Sequence, residues 1–288
     1  MAFETYALYH PLTVWENLAF PIQVRGMPRD QIKVEVERVA KLLDLTGVLD
    51  RQPDHLSGGQ QQRVSLGRAI VRPAKAYLFD EPLSLVDSNA RLRVRAEIKR
   101  LQETLNTTAV YVTHDQLETL VIGDRIIVMN FGEIQQIGTP EEIYHQPRNL
   151  FVADLIRDPP INFLDVELFS DGGEAMFRTA DGTCRLPVPP ALKQRVAEST
   201  SKTFRIGIRP MSVTHYLSES ENYHIQGTVY VFERFEIGGV LTVAAGENQL
   251  RASTEPNLKV SIDQPVWLSL DMDKIRVFDP ETGLEITL

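Results

Sequence analysis

The 288-residue chain has one cysteine, no surplus of positive charge and no long apolar run, and each shortage removes a class of protein. Cys184 has no partner for an internal disulfide, and a single thiol fits a reducing cytosol. Lys and Arg number 30 against 39 Asp and Glu, for a formal net charge of −9, so a nucleic-acid partner held by bulk electrostatics is disfavoured. No apolar run approaches the ~18 or more residues of a spanning helix. The N-terminus lacks the basic and apolar pattern of a signal peptide. Long repeats, low-complexity tracts and coiled-coil heptads are missing too. The expectation is a cytosolic protein of ordinary composition, 43% hydrophobic and 24% charged, with docking on a membrane protein left open. Its length favours two unequal domains.

What is present has a clear order. "PRDQIKVEVERVAKLLDL" sets Ile32, Val36, Val39 and Leu43 at helical spacing and predicts a helix over 28–45. Ser57-Gly58-Gly59-Gln60 has the S-x-x-Q form of a capping box and predicts a second helix start. "KAYLFD" (75–80) reads as a buried strand ending in carboxylates, and "TAVYVTH" (108–114) as another. Between them, Val94, Ile98, Leu101 and Leu105 form one helical stripe. "RIIVMNFGEIQQIG" predicts a hairpin turning at residues 130–133. Thr139 then caps a helix, with Pro140 first and Glu142 three residues on. This order indicates an α/β architecture with a mostly parallel sheet. From "RDPPINFL" (157–164) onward, short alternating runs separated by Gly, Pro, Asn or Asp predict a small all-β barrel or sandwich. The predicted division is 1–155, α/β, and 156–288, all-β.

Two stretches carry chemistry. "AYLFDEP" delivers Asp80 and Glu81 to the C-terminal edge of an apolar strand, where ligands bind in open α/β sheets. Phosphoryl transfer to water needs Mg2+ near the phosphates and a group that orients or deprotonates the water. Asp80 suits the first role and Glu81 the second. Taken alone, the segment serves equally well as a solvated strand end turning at Pro82. "LSGGQ" shifts that balance. Its two glycines let the backbone approach an anion, the helix start supplies free N–H groups, and Ser57 adds a hydroxyl. Thirty-three residues beyond Glu81, His114 closes a further apolar segment, where it can donate to a terminal phosphate oxygen.

From Met1 to about Leu164 the chain resembles the ATPase subunit of an ATP-binding-cassette (ABC) importer, of the branch that takes up sugars, glycerol phosphate and related polyols. In that family "LSGGQQQR" is the signature motif and "YLFDEP" the Walker B segment; "SLVD" ending in Asp87 is similar to the D-loop, and His114 falls on the switch histidine. "IQQIGTPEEIYHQP" and "PPINFL" are similar to the stretch leaving the ATPase domain, and "FRIGIRP" belongs to a region resembling the OB-like, TOBE-type regulatory domain. The resemblance implies a P-loop NTPase domain with a helical subdomain, then that regulatory domain. It implies ATP and Mg2+ as cofactors. Glu81 and His114 become catalytic, Ser57, Gly58, Gly59, Gln60 and Asp87 nucleotide-binding, and Asp80 and Glu4 metal-binding.

"MAFETYALYHPLTV" is similar to the family's Q-loop segment, with Glu4 where the family has glutamine. A carboxylate there can meet Mg2+ or a water but cannot donate the amide hydrogen bond. Val86, Gly123 and Met211 replace residues common in the family, as milder departures. The family's G-x-x-x-x-G-K-[ST] loop has no counterpart in the 288 residues. The expectation is therefore an N-terminally incomplete domain, inactive alone. Partners implied are a second ATPase subunit in a homo- or heterodimer, permease subunits docking near Tyr6–Trp15 and, indirectly, an extracytoplasmic solute-binding protein. Such a chain is peripheral on the inner face of the membrane and binds no nucleic acid. Two alternatives stand beside the importer ATPase: a non-hydrolysing subunit lending its signature to a complete partner, and a DNA-repair or chromosome-structure ATPase.

Overall fold

A computed structural model describes residues 7–72, 74–84, 86, 88–105, 107–156, 159–199, 201–219 and 223–286, with backbone alone at 88–90, 93, 97, 101, 104 and 105. They fall into two compact units, Met1–Asp124 and Arg125–Leu288.

Among the described residues, the first helix of the first unit is α1 (Val14–Gln23), which the sequence reading did not anticipate. Thr13 caps it by accepting from Glu16 N–H while the Glu16 carboxylate accepts from Thr13 N–H, a reciprocal box that settles two orphan donors. Helix α2 (Arg29–Leu42) buries Ile32, Val36 and Val39 as their spacing predicts. Helix α3 (Gly58–Ile70) starts at Ser57 with the predicted box to Gln60. It lies close on α1 because Gly67 has no Cβ; one there would stand 2.5 Å from Leu18 Cδ2. Strand β1 (Ala76–Asp80), helix α4 (Ser88–Leu105), strand β2 (Thr108–Val112) and helix α5 (Gln116–Ile122) complete the unit. Val94 and Ile98 of the α4 stripe are buried; the Leu101 and Leu105 side chains lie outside the described residues.

β1 and β2 pair in parallel, with Asp80 opposite Val112. Among the described residues this is the only parallel pair, so the mostly parallel sheet is corrected to two strands. Nor are they buried on both faces. Tyr77 and Phe79 join the core, whereas Leu78, Val110 and Val112 face solvent. Among the described residues, helices cover one side only, which leaves a half-buried period-two pattern.

The second unit starts with the hairpin of β3 (Ile126–Asn130) and β4 (Glu133–Gly138). Phe131 and Gly132 take φ of 47° and 82°, the two left-handed residues of a hairpin turn that matches strand twist, at the predicted place. Helix α6 (Pro140–His145) has the predicted Thr139–Glu142 box, and α7 (Leu150–Leu155) follows. Then come β5 (Asn162–Asp171), β6 (Glu174–Arg178), β7 (Arg185–Pro187), α8 (Lys193–Glu198), β8 (Thr203–Ile208) and β9 (Val213–Tyr216). β10 (Ile225–Arg234), β11 (Gly239–Ala245), β12 (Asn248–Thr254), β13 (Pro265–Leu270) and β14 (Arg276–Phe278) complete it. These strands form two antiparallel five-stranded sheets, ordered β14-β8-β5-β6-β7 and β12-β11-β10-β13-β9. In the second sheet the edge strands β12 and β9 also approach each other, so it curls toward a barrel. One core joins both sheets, and Asn162 clips them together: its amide donates to Arg251 O and accepts from Arg251 N–H.

The break between units lies at 124/125, ahead of the 155/156 division read from the sequence. The reason is a set of backward ties. Arg209, just beyond β8, donates to Ile156 O, Ala153 O and Tyr144 O, and Arg148 and Leu150 bond to Glu285 and Gly283.

Candidate functional site

β1 ends in Asp80, half-buried at the C-terminal edge of the parallel pair, and the chain then turns sharply at Glu81. Glu81 has φ of +46°, a left-handed backbone that costs a side-chain-bearing residue ~1–3 kcal/mol and persists where neighbours over-determine it. They do. Glu81 N–H donates to Val112 O at 2.9 Å, and Glu81 O accepts from Gln62 Nε2 at 2.8 Å and Ser84 Oγ at 3.1 Å.

The turn aims the Glu81 carboxylate at the end of the neighbouring strand. Its Oε1 accepts from the His114 backbone N–H at 3.0 Å and meets His114 Nδ1 at 2.7 Å. This bond and the negative charge behind it raise the His114 pKa above that of an ordinary imidazole. The histidine side chain is 79% exposed, so the pair has one anchored member and one open to solvent.

The turn bearing His114 is fixed in its own right. Thr113 Oγ1 accepts from Asp115 N–H and donates to Glu118, while Asp115 caps α5 by accepting from Glu118 N–H. Glu118 is buried, its pKa raised by desolvation and opposed by hydrogen bonds from Tyr111 and Thr113. From α4, Arg91 donates to Ser84 O and Val86 O and lies 3.5 Å from Asp115.

The predicted residues fall into two places. Asp80, Glu81 and His114 come together at the strand ends. Ser57, Gly58, Gly59 and Gln60 form the start of α3, where Ser57 and Gly58 are exposed and the Gln60 side chain is drawn back to its own cap. Glu4, Tyr6 and Asp87 lie outside the described residues. Sequence reasoning missed Gln62, Arg91, Thr113 and Glu118. Two of these carried a signal: Gln62 and Glu118 are polar residues on the buried faces of their helices, at i−4 from Leu66 and Ile122.

The docking segment is only partly a surface. Leu8 and Val14 are core residues, so the surface that stretch offers is carried by its other side chains. Tyr9 at 40% and Phe20 at 38% exposure pack ring to ring, 4.7 Å between centroids, with Arg68 over Tyr9. His10 pairs with Asp54. Behind them, the buried Asn17 holds the turn by donating to the carbonyls of Tyr9, Leu12 and Thr13 and accepting from Tyr9 N–H.

Among the described residues no group of three His, Cys, Asp or Glu side chains is placed to enclose a metal. A lone hard oxygen donor at a strand end still fits Mg2+, which keeps its waters and takes one or two carboxylates alongside substrate phosphates. No described helix is long and apolar enough to cross a membrane.

The pattern of the family described as "ABC transporter" matches residues 1–84. The trehalose/maltose import ATP-binding protein MalK of Thermococcus litoralis is 41% identical over 293 residues, covering 99% of this chain and 77% of its own length. The chain belongs to the ABC transporter ATP-binding family. Within it, the chain is also similar to the uncharacterized ABC transporter ATP-binding protein YurJ of Bacillus subtilis, 39% identical over 286 residues, covering 98% and 77%. The sn-glycerol-3-phosphate import ATP-binding protein UgpC of Escherichia coli K12 is 38% identical over 289 residues, covering 99% and 78%. As an ABC transporter ATPase the chain combines the family's ATPase fold with an all-β, OB-like domain, and the DNA-repair alternative falls away.

Proposed function

We propose that this chain is the ATP-hydrolysing subunit of an importer for a sugar, glycerol phosphate or polyol. The observation that carries the reading is the Glu81–His114 pair beside Asp80 at the ends of two parallel strands. Relatives named for trehalose/maltose and sn-glycerol-3-phosphate import support the class of solute.

In this reading Glu81 orients the attacking water and takes its proton as the water oxygen bonds to the terminal phosphorus and the bond to the ADP oxygen breaks. With Nδ1 engaged on Glu81, His114 presents Nε2 to a terminal phosphate oxygen. Asp80, with Glu4, would hold Mg2+, which supplies charge neutralisation at the phosphates. Ser57, Gly58 and Gly59 offer hydroxyl, backbone N–H groups and helix dipole to the ATP of an opposite subunit, with Gln60 and Asp87 beside them. A dimer follows from that sharing, with permease subunits meeting the exposed Tyr9, His10 and Phe20 at the cytoplasmic face of the membrane. The ATPase assignment covers 1–155 and the regulatory or dimerising role 156–288.

The second reading, a subunit that lends its signature to a complete partner, draws on the lack of G-x-x-x-x-G-K-[ST] in these residues. Both readings make one prediction. The 288 residues alone bind ATP weakly and do not turn it over, because they lack the G-x-x-x-x-G-K-[ST] stretch whose lysine and N–H groups grip the β- and γ-phosphates. Turnover by the purified chain, abolished in Glu81→Gln, would contradict it.

A further inference from the structure

The three successive glutamines of "LSGGQQQR" go three ways. Gln60 returns to the helix cap, and Gln61 donates to Pro53 O in the preceding loop. Gln62 is 2% exposed and reaches the catalytic strand. A buried amide is costly unless its polar atoms are used. Gln62 Nε2 donates to Glu81 O at 2.8 Å and to Ser84 Oγ at 3.1 Å, and Ser84 Oγ donates in turn to the same carbonyl. The carbonyl so held belongs to a residue in the left-handed region, whose side chain meets His114.

A core position in a helix would accept Leu or Met with equal packing volume. The amide adds a directional tie between α3 and the turn after β1. Gln62 stands five residues past Ser57, about 7.5 Å along a rigid helix axis, so the tie and the signature move as one body.

We infer that Gln62 is a positioning residue that fixes the Glu81 turn, and through it the Glu81–His114 pair, to the helix that carries the signature. Displacement of α3 when its N-terminus engages a nucleotide is thereby transmitted to the hydrolytic pair of the same subunit. The inference rests on the roles proposed for the signature and for Glu81. Its geometric part, that Gln62 sets the Glu81–His114 contact, can be tested without them.

The test is hydrogen exchange and NMR on the whole chain. The backbone N–H of His114 donates to Glu81 Oε1, so it reports the placement of that carboxylate. In Gln62→Met its exchange rises about tenfold or more, while amides within α2 change by less than about threefold. Ser84→Ala removes the second donor to Glu81 O from a half-buried turn and raises the same amide's exchange to a smaller extent. Should Gln62→Met fail to fold, the variants Glu81→Gln and His114→Ala decide. Neither touches the Gln62 side chain, and both shift its amide resonances if the tie exists. Unchanged His114 exchange in a folded Gln62→Met protein overturns the inference, as do Gln62 resonances indifferent to both site variants. No readout involves turnover, so failure here is distinct from failure of the ATPase reading.

Discussion

Glu81 is the residue on which the site turns, and its place follows from bonds at both ends. Its carbonyl is held by Gln62 and Ser84, its N–H by Val112 and its carboxylate by His114. The letters Asp80-Glu81 after an apolar run announce the carboxylates. They do not announce the left-handed turn, because glutamate has no preference for it and tertiary bonds impose it. Asn17 was illegible for a similar reason: it looks like any polar residue in a helix, yet it is fully buried and organises the preceding turn. Asn17→Leu should cost ~2–3 kcal/mol, since it takes from the Tyr9 N–H and the Leu12 carbonyl the partner that its amide supplies. Urea unfolding of the first unit checks this, and a change within ~0.5 kcal/mol would remove the role. Cys184 is the opposite case, a residue whose inertness follows from its surroundings. It is buried to 1% exposure, and burial pushes its thiol pKa up to about 12. A thiol reagent at neutral pH should therefore label it only as the chain unfolds; rapid labelling of the native protein would contradict the packing of that core.

At the scale of elements, what could be read was what is local. The boxes at Ser57 and Thr139, the stripe of α2 and the hairpin turn at 131–132 are each settled within a few residues, and each stands where the sequence put it. The box at Thr13 was equally local and went unread, because the family resemblance assigned that stretch to permease docking. Sheet partnership was not local. The alternating strands after residue 160 were plain, but their sheet order was not, and no pattern in "KAYLFD" tells one covered face from two. The curled sheet also contains a pH-sensitive pair. His215 on β9 and His224 ahead of β10 both have pKa values lowered by burial, and His224 Nδ1 accepts the N–H of Leu270, which a protonated nitrogen cannot do. The native state therefore binds fewer protons than the unfolded chain once pH falls through the ordinary histidine value of 6.5. Stability present above that pH is lost as pH drops through the lowered native values. Thermal melts of the second unit between about pH 7.5 and 5 should show it, and His224→Gln should flatten the slope. An unaltered slope in that variant would assign the dependence elsewhere.

Taken whole, the molecule is two units of unequal reinforcement. The second has two five-stranded sheets over one core, and its hairpin and helices α6 and α7 are stitched to it through Arg209, Arg148 and Leu150. In the first, the described sheet is one pair of strands with Leu78, Val110 and Val112 on an open face. Amides of β1 and β2 should exchange faster than those of β10 and β11. Limited proteolysis should leave a resistant piece beginning near residues 125–139, ahead of α6. A piece beginning at 155–165 would mean that the stitching does not hold the helices. The central claim concerns Glu81, and one measurement addresses it directly: ATP binding and turnover by a chimera in which a family phosphate-loop segment precedes Met1. With that segment in place, Glu81→Gln should keep nucleotide binding and lower turnover by about a hundredfold or more, because the group proposed to take the water's proton is lost while phosphate contacts remain. Near-parental turnover in Glu81→Gln would take the general-base role from Glu81 and with it the reading of this site.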